Sequence, residues 1–283
     1  MVAMTTAEQP GTANSPSAPA TPATSDAPTT AATAATPPTS GTPGTAIVTG
    51  GSAGIGRAIA LRLGRDGWNV AVAYRSHPES AAEVVAEIGH QGGHAVAVQA
   101  DVSRRADVAA LFERAEQEFG PVGALVANAG VSRVAPVADS DDTMVTELLG
   151  VNLLGTLYGL QEAARRLRPG GSIVTLSSTA VLTATPGLGV YAAAKAGVET
   201  LTRVAARELG PAGLRVNAVA PGLVDSPMFR DGKTDADLDR FRSQAPLRRL
   251  GRYDEIAEAV AYLVSPGASW VSGQILRVNG GAA

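Results

Sequence analysis

The sequence predicts an α/β fold built on a doubly wound, seven-stranded parallel sheet with helices on both faces. Two observations support this prediction. From Gly44 onward, short runs rich in β-branched residues alternate with longer amphipathic stretches, an order typical of successive βαβ units. The chain also has 283 residues, 45% of them hydrophobic, so it is long enough to bury the core of one full-sized domain.

Seven short segments are predicted to form the strands, and the stretches between them are predicted helices. The strands are Thr45–Thr49, Asn69–Tyr74, His94–Gln99, Ala124–Ala127, Ser172–Ser177, Arg215–Ala220 and Gln274–Val278. Two stretches show the helical repeat most clearly, through Val108, Leu111, Phe112, Ala115 and Phe119 in one and Ile256, Val260 and Leu263 in the other. Apolar residues at this spacing share one helical face, which is expected to pack on the sheet.

The first 43 residues differ in composition from the rest. Residues 1–43 consist mostly of Ala, Thr, Pro and Ser and contain no Leu, Ile, Phe, Tyr, Trp, Lys or Arg. Such a segment cannot bury a core, so we expect a disordered tail, with the folded domain spanning residues 44–283. Its composition also argues against a secretory or organellar signal. The tail is either a solubilising or tethering arm or a neutral extension.

Charge and residue usage exclude several classes of function. The net charge of −3 and a pI near 5.7 give no electrostatic attraction for a nucleic acid or an anionic membrane. The lack of cysteine excludes disulfides and thiolate nucleophiles and suits a cytoplasmic protein. The three histidines, His77, His90 and His94, do not have the spacing of metal ligands, so we predict no metal site.

A glycine-rich segment, TGGSAGIGRAIALRLG at Thr49–Gly64, follows the first predicted strand and begins a helix. Glycines remove the Cβ atoms that would keep a diphosphate from the backbone N–H groups, and a helix N-terminus favours anions. The spacing differs from G-x-G-x-x-G, but its position at the start of a βαβ series supports a Rossmann-type dinucleotide site. The expected contacts are Gly50, Ser52, Gly54, Ile55 and Gly56.

The end of the second predicted strand indicates which nicotinamide cofactor is preferred. An NAD site usually carries Asp or Glu there, to bind the ribose 2′-hydroxyl, whereas this chain has Tyr74, Arg75 and Ser76. Arg75 can pair with a 2′-phosphate through its planar guanidinium, and Ser76 can add a hydroxyl hydrogen bond. We therefore expect NADP(H) to be preferred and NAD(H) to be possible. The alternative is that Arg75 is simply a solvated loop arginine.

One of only two lysines in the chain, Lys195, follows Tyr191 by four residues in VYAAAKAGV. On a helix this spacing places both side chains on one face. A cation at about 4 Å is worth up to roughly 4 kcal/mol at an effective dielectric constant of about 20, or about three pKa units. We therefore expect the pKa of Tyr191 to fall toward neutrality, so that its phenol can exchange a proton with a carbonyl oxygen.

These motifs, in this order, resemble those of the short-chain dehydrogenase/reductase family, and the resemblance covers essentially all of Gly44–Gly281. They are the glycine turn at Thr49–Gly56, Asp101-Val102, ANAG at Ala127–Gly130, Asn152, Ser178, Tyr191-x-x-x-Lys195 and APG at Ala220–Gly222. The resemblance implies that Ser178 hydrogen-bonds the substrate carbonyl and stabilises its developing charge. It also implies that Asn152 holds a water that relays protons through Lys195.

The resemblance implies further contacts with the cofactor. These are Asp101, Val102, Asn128, Ala129, Gly130, Tyr191, Lys195, Pro221 and Gly222. Asp101 and Asn128 would line the adenine side, and Pro221 and Gly222 would pass beside the nicotinamide. Taken singly, Asp101 is alternatively a turn residue before a helix whose N-cap is Ser103.

The expected function is an NADPH-dependent reduction of a ketone to a secondary alcohol, since the pattern is similar to 3-oxoacyl-thioester reductases. The alternatives are an NAD-dependent alcohol or sugar dehydrogenase working oxidatively and a non-catalytic dinucleotide-binding sensor. Thr179–Leu188 and Leu223–Ala245 are expected to wall the substrate pocket, the second segment as a mobile lid. The resemblance also implies a homotetramer or homodimer built partly on Leu153–Leu167 and Tyr191–Leu209.

Overall fold

The described residues of the chain, 44–230, 232 and 234–283 of a computed structural model, contain seven parallel strands in one sheet. The predicted tail, residues 1–43, lies outside them. The strands are β1 (Thr45–Val48), β2 (Asn69–Tyr74), β3 (Ala95–Gln99), β4 (Val122–Ala127), β5 (Ser172–Leu176), β6 (Arg215–Pro221) and β7 (Ile275–Val278). Their spatial order is β3-β2-β1-β4-β5-β6-β7. All seven predicted strands are confirmed, with ends that differ by at most two residues.

Ten α-helices alternate with these strands in the described residues. They are α1 (Gly54–Arg65), α2 (Pro78–His90), α3 (Arg105–Phe119), α4 (Asp142–Leu149), α5 (Gly155–Arg166), α6 (Ala180–Thr183), α7 (Gly189–Leu209), α8 (Pro227–Arg230), α9 (Asp235–Gln244) and α10 (Tyr253–Val264). A π-helical turn, Gly150–Leu154, joins α4 directly to α5. The sheet with helices on both faces confirms the predicted fold class.

Hydrophobic cores form on both faces of the sheet, because neighbouring strand residues point in opposite directions. Val48 packs in the core with α1, α2 and α10, whereas its neighbour Ile47 packs in the other core with α3 and α5. The predicted apolar helix positions are buried in these cores, apart from Phe119 at the end of α3, which is only partly buried. Fully burying one such Leu, Ile or Phe side chain contributes about 1.5–3 kcal/mol.

The strand order creates a crevice at the carboxyl ends of β1 and β4. The chain proceeds outward from β1 through β2 to β3 and then returns to β4 on the other side of β1. Connections that leave in opposite directions diverge at this point, so a ligand can enter between them. The glycine turn, the ANAG segment and the chain after β5 all lie at this edge of the sheet.

The segment Leu223–Ala245 contains α8 and α9, and α9 begins with a capping box in which Thr234 and Asp237 exchange hydrogen bonds. One local alternative from the sequence needs correction. Ser103 is not the N-cap of the following helix. It donates its hydroxyl to Asp101 Oδ1 (2.7 Å), and α3 begins two residues later, at Arg105.

Candidate active site

The glycine turn places backbone N–H groups at the end of β1. Gly50 and Gly54 have φ values of 63° and 55°, which favour glycine. A Cβ atom at Gly56 would collide with the carbonyl oxygen of Gly50, so the turn closes tightly only with glycine there. Ala53, at the N-cap of α1, provides no side-chain hydrogen bond, and the first turn has no acidic residue. The uncapped end of α1 therefore suits a bound anion.

Thr49 and Asn128 join this turn to the end of β4. The Thr49 hydroxyl accepts the N–H groups of Asn128 and Ala129, both at 3.0 Å. In return, the Asn128 side-chain amide donates to the carbonyl oxygens of Thr49 (2.9 Å) and Gly50 (3.2 Å). These bonds hold the two loops of the crevice together. Sequence reasoning missed Thr49, for which the available signal was a hydroxyl at the end of a strand beside the glycine turn.

Arg75, Ser76 and Asp101 lie together beyond the ends of β2 and β3. The Arg75 side chain is exposed, and its backbone carbonyl accepts from Gln99 Nε2 at 3.1 Å. Burial raises the pKa of Asp101, but hydrogen bonds from Ser103 and the charges of Arg75 and Arg104 outweigh it and hold that pKa below its usual value. Asp101 is therefore ionised at neutral pH.

Helix α7 brings Tyr191 and Lys195 to one face, beside Ser178 at the end of β5. The Ser178 hydroxyl hydrogen-bonds the Tyr191 phenol oxygen, and Ser178 Oγ accepts from the backbone N–H of Ala180 (3.2 Å). Lys195 is 3% exposed, and its Nζ lies 5.8 Å from the centroid of the Tyr191 ring. The structure thus brings together these three residues, as the sequence predicted.

The predicted fall in the pKa of Tyr191 is wrong for the protein alone. Burial raises the pKa of this phenol, and the hydrogen bond with Ser178 only partly opposes the rise. Burial also lowers the pKa of Lys195 to about 8. A nearby cation lowers the pKa of a phenol when both groups stay hydrated, but Tyr191 and Lys195 are both withdrawn from water.

Asn152 lies in the π-helical turn and is completely buried. Its Oδ1 accepts from the N–H of Val131 (3.2 Å), and its Nδ2 donates to the carbonyl oxygens of Val131 and Leu148, both at 2.9 Å. π-Helical turns are rare and often occur at functional sites. A Cβ atom added at Gly130 would lie 2.8 Å from Asn152 Oδ1 and 3.5 Å from Lys195 Nζ, so Gly130 lies close to both side chains.

The other predicted cofactor residues have varied surroundings. The carbonyl of Pro221 accepts from the N–H of Thr179 (2.9 Å), and the N–H of Gly222 donates to Val278 (3.0 Å). Val102 is buried and packs closely against Gly155, where an added Cβ atom would lie 2.8 Å from the Val102 side chain. Ile55 packs against the core, and the Ser76 hydroxyl lies 3.0 Å from His77 Nδ1. Ser52 is half-buried in the turn.

A cleft of about 810 Å³ opens beside Ser178 and Tyr191. Both predicted wall segments contribute, as do the ends of β6 and β7. Its apolar lining includes Val134, Leu188, Leu223, Phe229, Phe241, Leu247, Leu250, Ile256 and Val278. A volume in this range suits a small organic molecule, and the apolar lining favours a substrate with a hydrocarbon portion.

Thr179 is a further residue of this cleft that sequence reasoning had not singled out as a site residue. It is 6% exposed and directly follows Ser178. Its hydroxyl is buried and has no hydrogen-bond partner among the described residues. A buried hydroxyl usually finds a partner, because leaving it unpaired costs about 1–3 kcal/mol.

No helix among the described residues is both long and apolar enough to cross a membrane. No group of three or more His, Asp or Glu side chains in that part of the chain is placed to hold a metal ion.

Comparison with known proteins gives consistent matches over most of the chain. A family model described as enoyl-(acyl carrier protein) reductase matches residues 50–283. A short-chain type dehydrogenase/reductase of Picea abies is 39% identical over 246 residues, covering 83% of this chain and 91% of the relative. A 3-oxoacyl-(acyl-carrier-protein) reductase of Staphylococcus aureus is 40% identical over 238 residues, covering 83% of this chain and 96% of the relative.

Solved structures agree with the sequence matches. The crystal structure of a short-chain dehydrogenase from Burkholderia cenocepacia in complex with NADP has a TM-score of 0.80 and 38% identity. The similarity covers 84% of this chain and 97% of that one. Together with the sheet order and the clustered Ser178, Tyr191 and Lys195, these matches establish that the chain belongs to the short-chain dehydrogenase/reductase family.

Proposed function

We propose that this protein is an NADPH-dependent reductase that converts a ketone, of the 3-oxoacyl type or a related carbonyl compound, to a secondary alcohol. The observation that carries the proposal is the cluster of Ser178, Tyr191 and Lys195 at the wall of an apolar cleft, beside the dinucleotide crevice. The NADP complex of the Burkholderia relative and the name of the Staphylococcus relative support the cofactor and the carbonyl substrate.

The crevice has features that fit NADP(H). The N–H groups at the start of α1 and the positive-φ glycines of the turn would hold the diphosphate. Arg75 would pair with the 2′-phosphate, and Asp101, Val102 and the segment Asn128–Gly130 would line the adenine side. Pro221 and Gly222 would pass beside the nicotinamide. When bound, the reduced cofactor supplies a hydride to the carbonyl carbon of the substrate.

Tyr191 is the proposed general acid. As the carbonyl carbon is reduced, the phenol O–H bond breaks and its proton moves to the carbonyl oxygen, which gives the alcohol. The raised pKa of Tyr191 keeps the phenol protonated at neutral pH, so the proton to be donated is present before reaction. Ser178, already hydrogen-bonded to Tyr191, orients the same oxygen and stabilises its developing charge.

Lys195 and Asn152 are proposed to return a proton to Tyr191. The pKa of Lys195, about 8, is low enough for its ammonium to release a proton near neutral pH, which a fully charged surface lysine does only rarely. Asn152, fixed by three hydrogen bonds to backbone groups, would hold the water that connects Lys195 to solvent.

The test is the consumption of NADPH and NADH with a panel of activated ketones that includes a 3-oxoacyl thioester. Tyr191→Phe is expected to lower kcat by about 100-fold or more while still binding NADPH, since general acid catalysis contributes about this much. Tyr158→Phe is the matched control, because Tyr158 lies in α5 with its ring against Arg105 of α3 and is not among the residues that line the cleft. Activity retained in Tyr191→Phe would refute the mechanism.

The same measurement separates the two alternatives. An NAD-dependent alcohol or sugar dehydrogenase would bind NADH more tightly and work in the oxidative direction. A non-catalytic sensor would bind a dinucleotide but turn over nothing on the panel in either direction.

We also propose that the chain assembles as a dimer or tetramer built partly on α5 and α7, as the family resemblance implies. A monomer on size-exclusion chromatography would contradict this assembly.

A further inference from the structure

Among the described residues, the charged side chains that line the cleft are those of Arg240, Arg249 and Glu255, and the last two neutralise each other. Arg249 Nη1 and Nη2 donate to Glu255 Oε2 (2.8 Å) and Oε1 (2.6 Å). Glu255 also accepts the backbone N–H of Arg252 (2.8 Å). These bonds lower the pKa of Glu255 to about 2, so the pair is charged and hydrogen-bonded at neutral pH.

Arg240 is the third charged residue, and its charge is not balanced. It lies on α9 and lines the cleft together with Phe241 and Gln244. No carboxylate of the described residues lies within 4.0 Å of its guanidinium nitrogens, whereas the neighbouring Arg242 is paired with Asp239 at 2.6 Å. Asp237, one turn before Arg240, has its Oδ2 occupied by the N–H (3.1 Å) and hydroxyl (2.7 Å) of Thr234.

The position of the Arg240 side chain is supported by aromatic packing. Its guanidinium carbon lies 5.5 Å from the centroid of the Phe241 ring, and Phe241 in turn packs edge-to-face on Phe229, with ring centroids 5.1 Å apart. A guanidinium stacked on a ring keeps its N–H groups, which lie in its plane, available for a bidentate contact. Carboxylates and phosphates are the groups that match this fork.

We infer that the substrate carries an anionic group, a carboxylate or phosphate, which Arg240 binds while Ser178 and Tyr191 engage the carbonyl. The inference rests on the proposed function, because it takes the cleft as the substrate site. The cleft is otherwise lined mainly by apolar side chains, so the substrate class is a carbonyl compound joined to its anionic group through an apolar spacer. Arg240 would then be a specificity-determining residue.

The kinetic test uses methyl-ketone acids of increasing length, 4-oxopentanoate, 6-oxoheptanoate and 8-oxononanoate, each beside its uncharged methyl ester. One acid should have the length that lets its carboxylate reach Arg240 while its ketone reaches Tyr191. For that acid, Arg240→Ala is expected to lower kcat/KM by about tenfold or more, mainly by raising KM, because hydrogen bonds between charged groups are stronger than those between neutral groups. The ester is expected to change by less than about twofold. Added salt should lower kcat/KM for the acid but not for the ester, because salt screens an exposed ion pair.

Arg242→Ala is the matched control, because it removes an arginine from the same helix but outside the cleft. This variant is expected to have the wild-type kcat/KM for both the acid and the ester. Equal losses for acid and ester in Arg240→Ala, or no loss for either, would overturn the inference.

A binding measurement tests the inference without turnover. Isothermal titration of the protein with NADP⁺ present would compare octanoate, octyl phosphate and octanamide. Arg240→Ala is expected to weaken the octanoate or octyl phosphate complex about tenfold and to leave octanamide unchanged. The preferred anion identifies the group. If wild type reduces no ketone but shows this pattern, the proposed function fails and the anion site stands. If it reduces ketones and binds all three probes equally, only the anion site fails.

Discussion

The ammonium nitrogen of Lys195 donates a 2.7 Å hydrogen bond to the carbonyl oxygen of Leu176, at the end of β5. This bond anchors a side chain that is almost completely buried, one helical turn from Tyr191. Burial in turn lowers the pKa of Lys195 from 10.5 to about 8. A buried lysine with this pKa has a measurable consequence for stability, because its proton is bound less tightly in the folded chain than in the unfolded chain.

We predict that this lysine makes stability rise with pH. Between about pH 8 and 10.5 the unfolded chain retains the Lys195 proton and the folded chain has lost it, so the free energy of unfolding increases through this window. Between pH 8 and 9.5, wild type should gain roughly 2 kcal/mol relative to Lys195→Met. Denaturant unfolding of both proteins at several pH values measures the difference. If the free energy of unfolding changed with pH in the same way in wild type and in Lys195→Met, the lowered pKa of Lys195 would be contradicted.

Replacing Gly130 with alanine should disturb the site by steric contact alone, since Gly130 does not have a positive φ. The new Cβ atom would lie 2.8 Å from Asn152 Oδ1, and Asn152 is held by three hydrogen bonds in the core. We expect kcat to fall by about tenfold or more and stability by about 1–3 kcal/mol.

Gly89→Ala serves as the control for Gly130→Ala, because a Cβ atom there has nothing within 4 Å and Gly89 lies inside α2. It should stabilise the protein by up to about 1 kcal/mol through helix propensity and leave kcat unchanged. Steady-state kinetics and thermal unfolding of both variants measure the effects. Wild-type kcat in Gly130→Ala would show that Asn152 tolerates displacement.

Thr179→Val should stabilise the protein, although it removes a polar group from the active-site wall. The Thr179 hydroxyl is buried without a partner among the described residues, so replacing it with a methyl group removes a desolvation cost of about 1 kcal/mol or more. Thr175→Val should do the opposite by a similar amount, because the Thr175 hydroxyl hydrogen-bonds that of Thr202 at 2.8 Å. Opposite shifts in Tm are expected, and a fall in both would mean that Thr179 has a partner in solution.

Arg75→Asp should shift cofactor preference from NADPH toward NADH. The substitution removes the guanidinium expected to bind the 2′-phosphate and adds a carboxylate that repels it, so the Kd for NADPH should rise about tenfold or more. Arg104→Ala is the control, because the charge of Arg104 also lowers the pKa of Asp101 but Arg104 follows β3 instead of β2. Fluorescence titration with both cofactors measures the ratio. An unchanged ratio would leave Arg75 as a solvated loop arginine.

The sequence by itself determined the fold class, the seven strands and the residues that carry the proposed chemistry. Strands and amphipathic helices were readable because their periods, two and 3.6 residues, are local properties of the chain. The pairing of Tyr191 with Lys195 could be predicted for the same reason, because a spacing of four residues brings both side chains to one face of a helix. Glycines in the turn after β1 were informative because backbone conformation and close approach require them there.

Tertiary structure decided what depends on burial and on residues far apart in the chain. The pKa of Tyr191 rises instead of falling because the phenol is withdrawn from water, which no spacing in the sequence reveals. The bonds between Thr49 and Asn128 join residues 79 positions apart. The unbalanced charge of Arg240 likewise became visible only when the fold placed it at the cleft and, among the described residues, left Asp237 and Asp239 with other partners. Electrostatic environment is a property of the packed molecule, so it follows from the fold and not from local pattern.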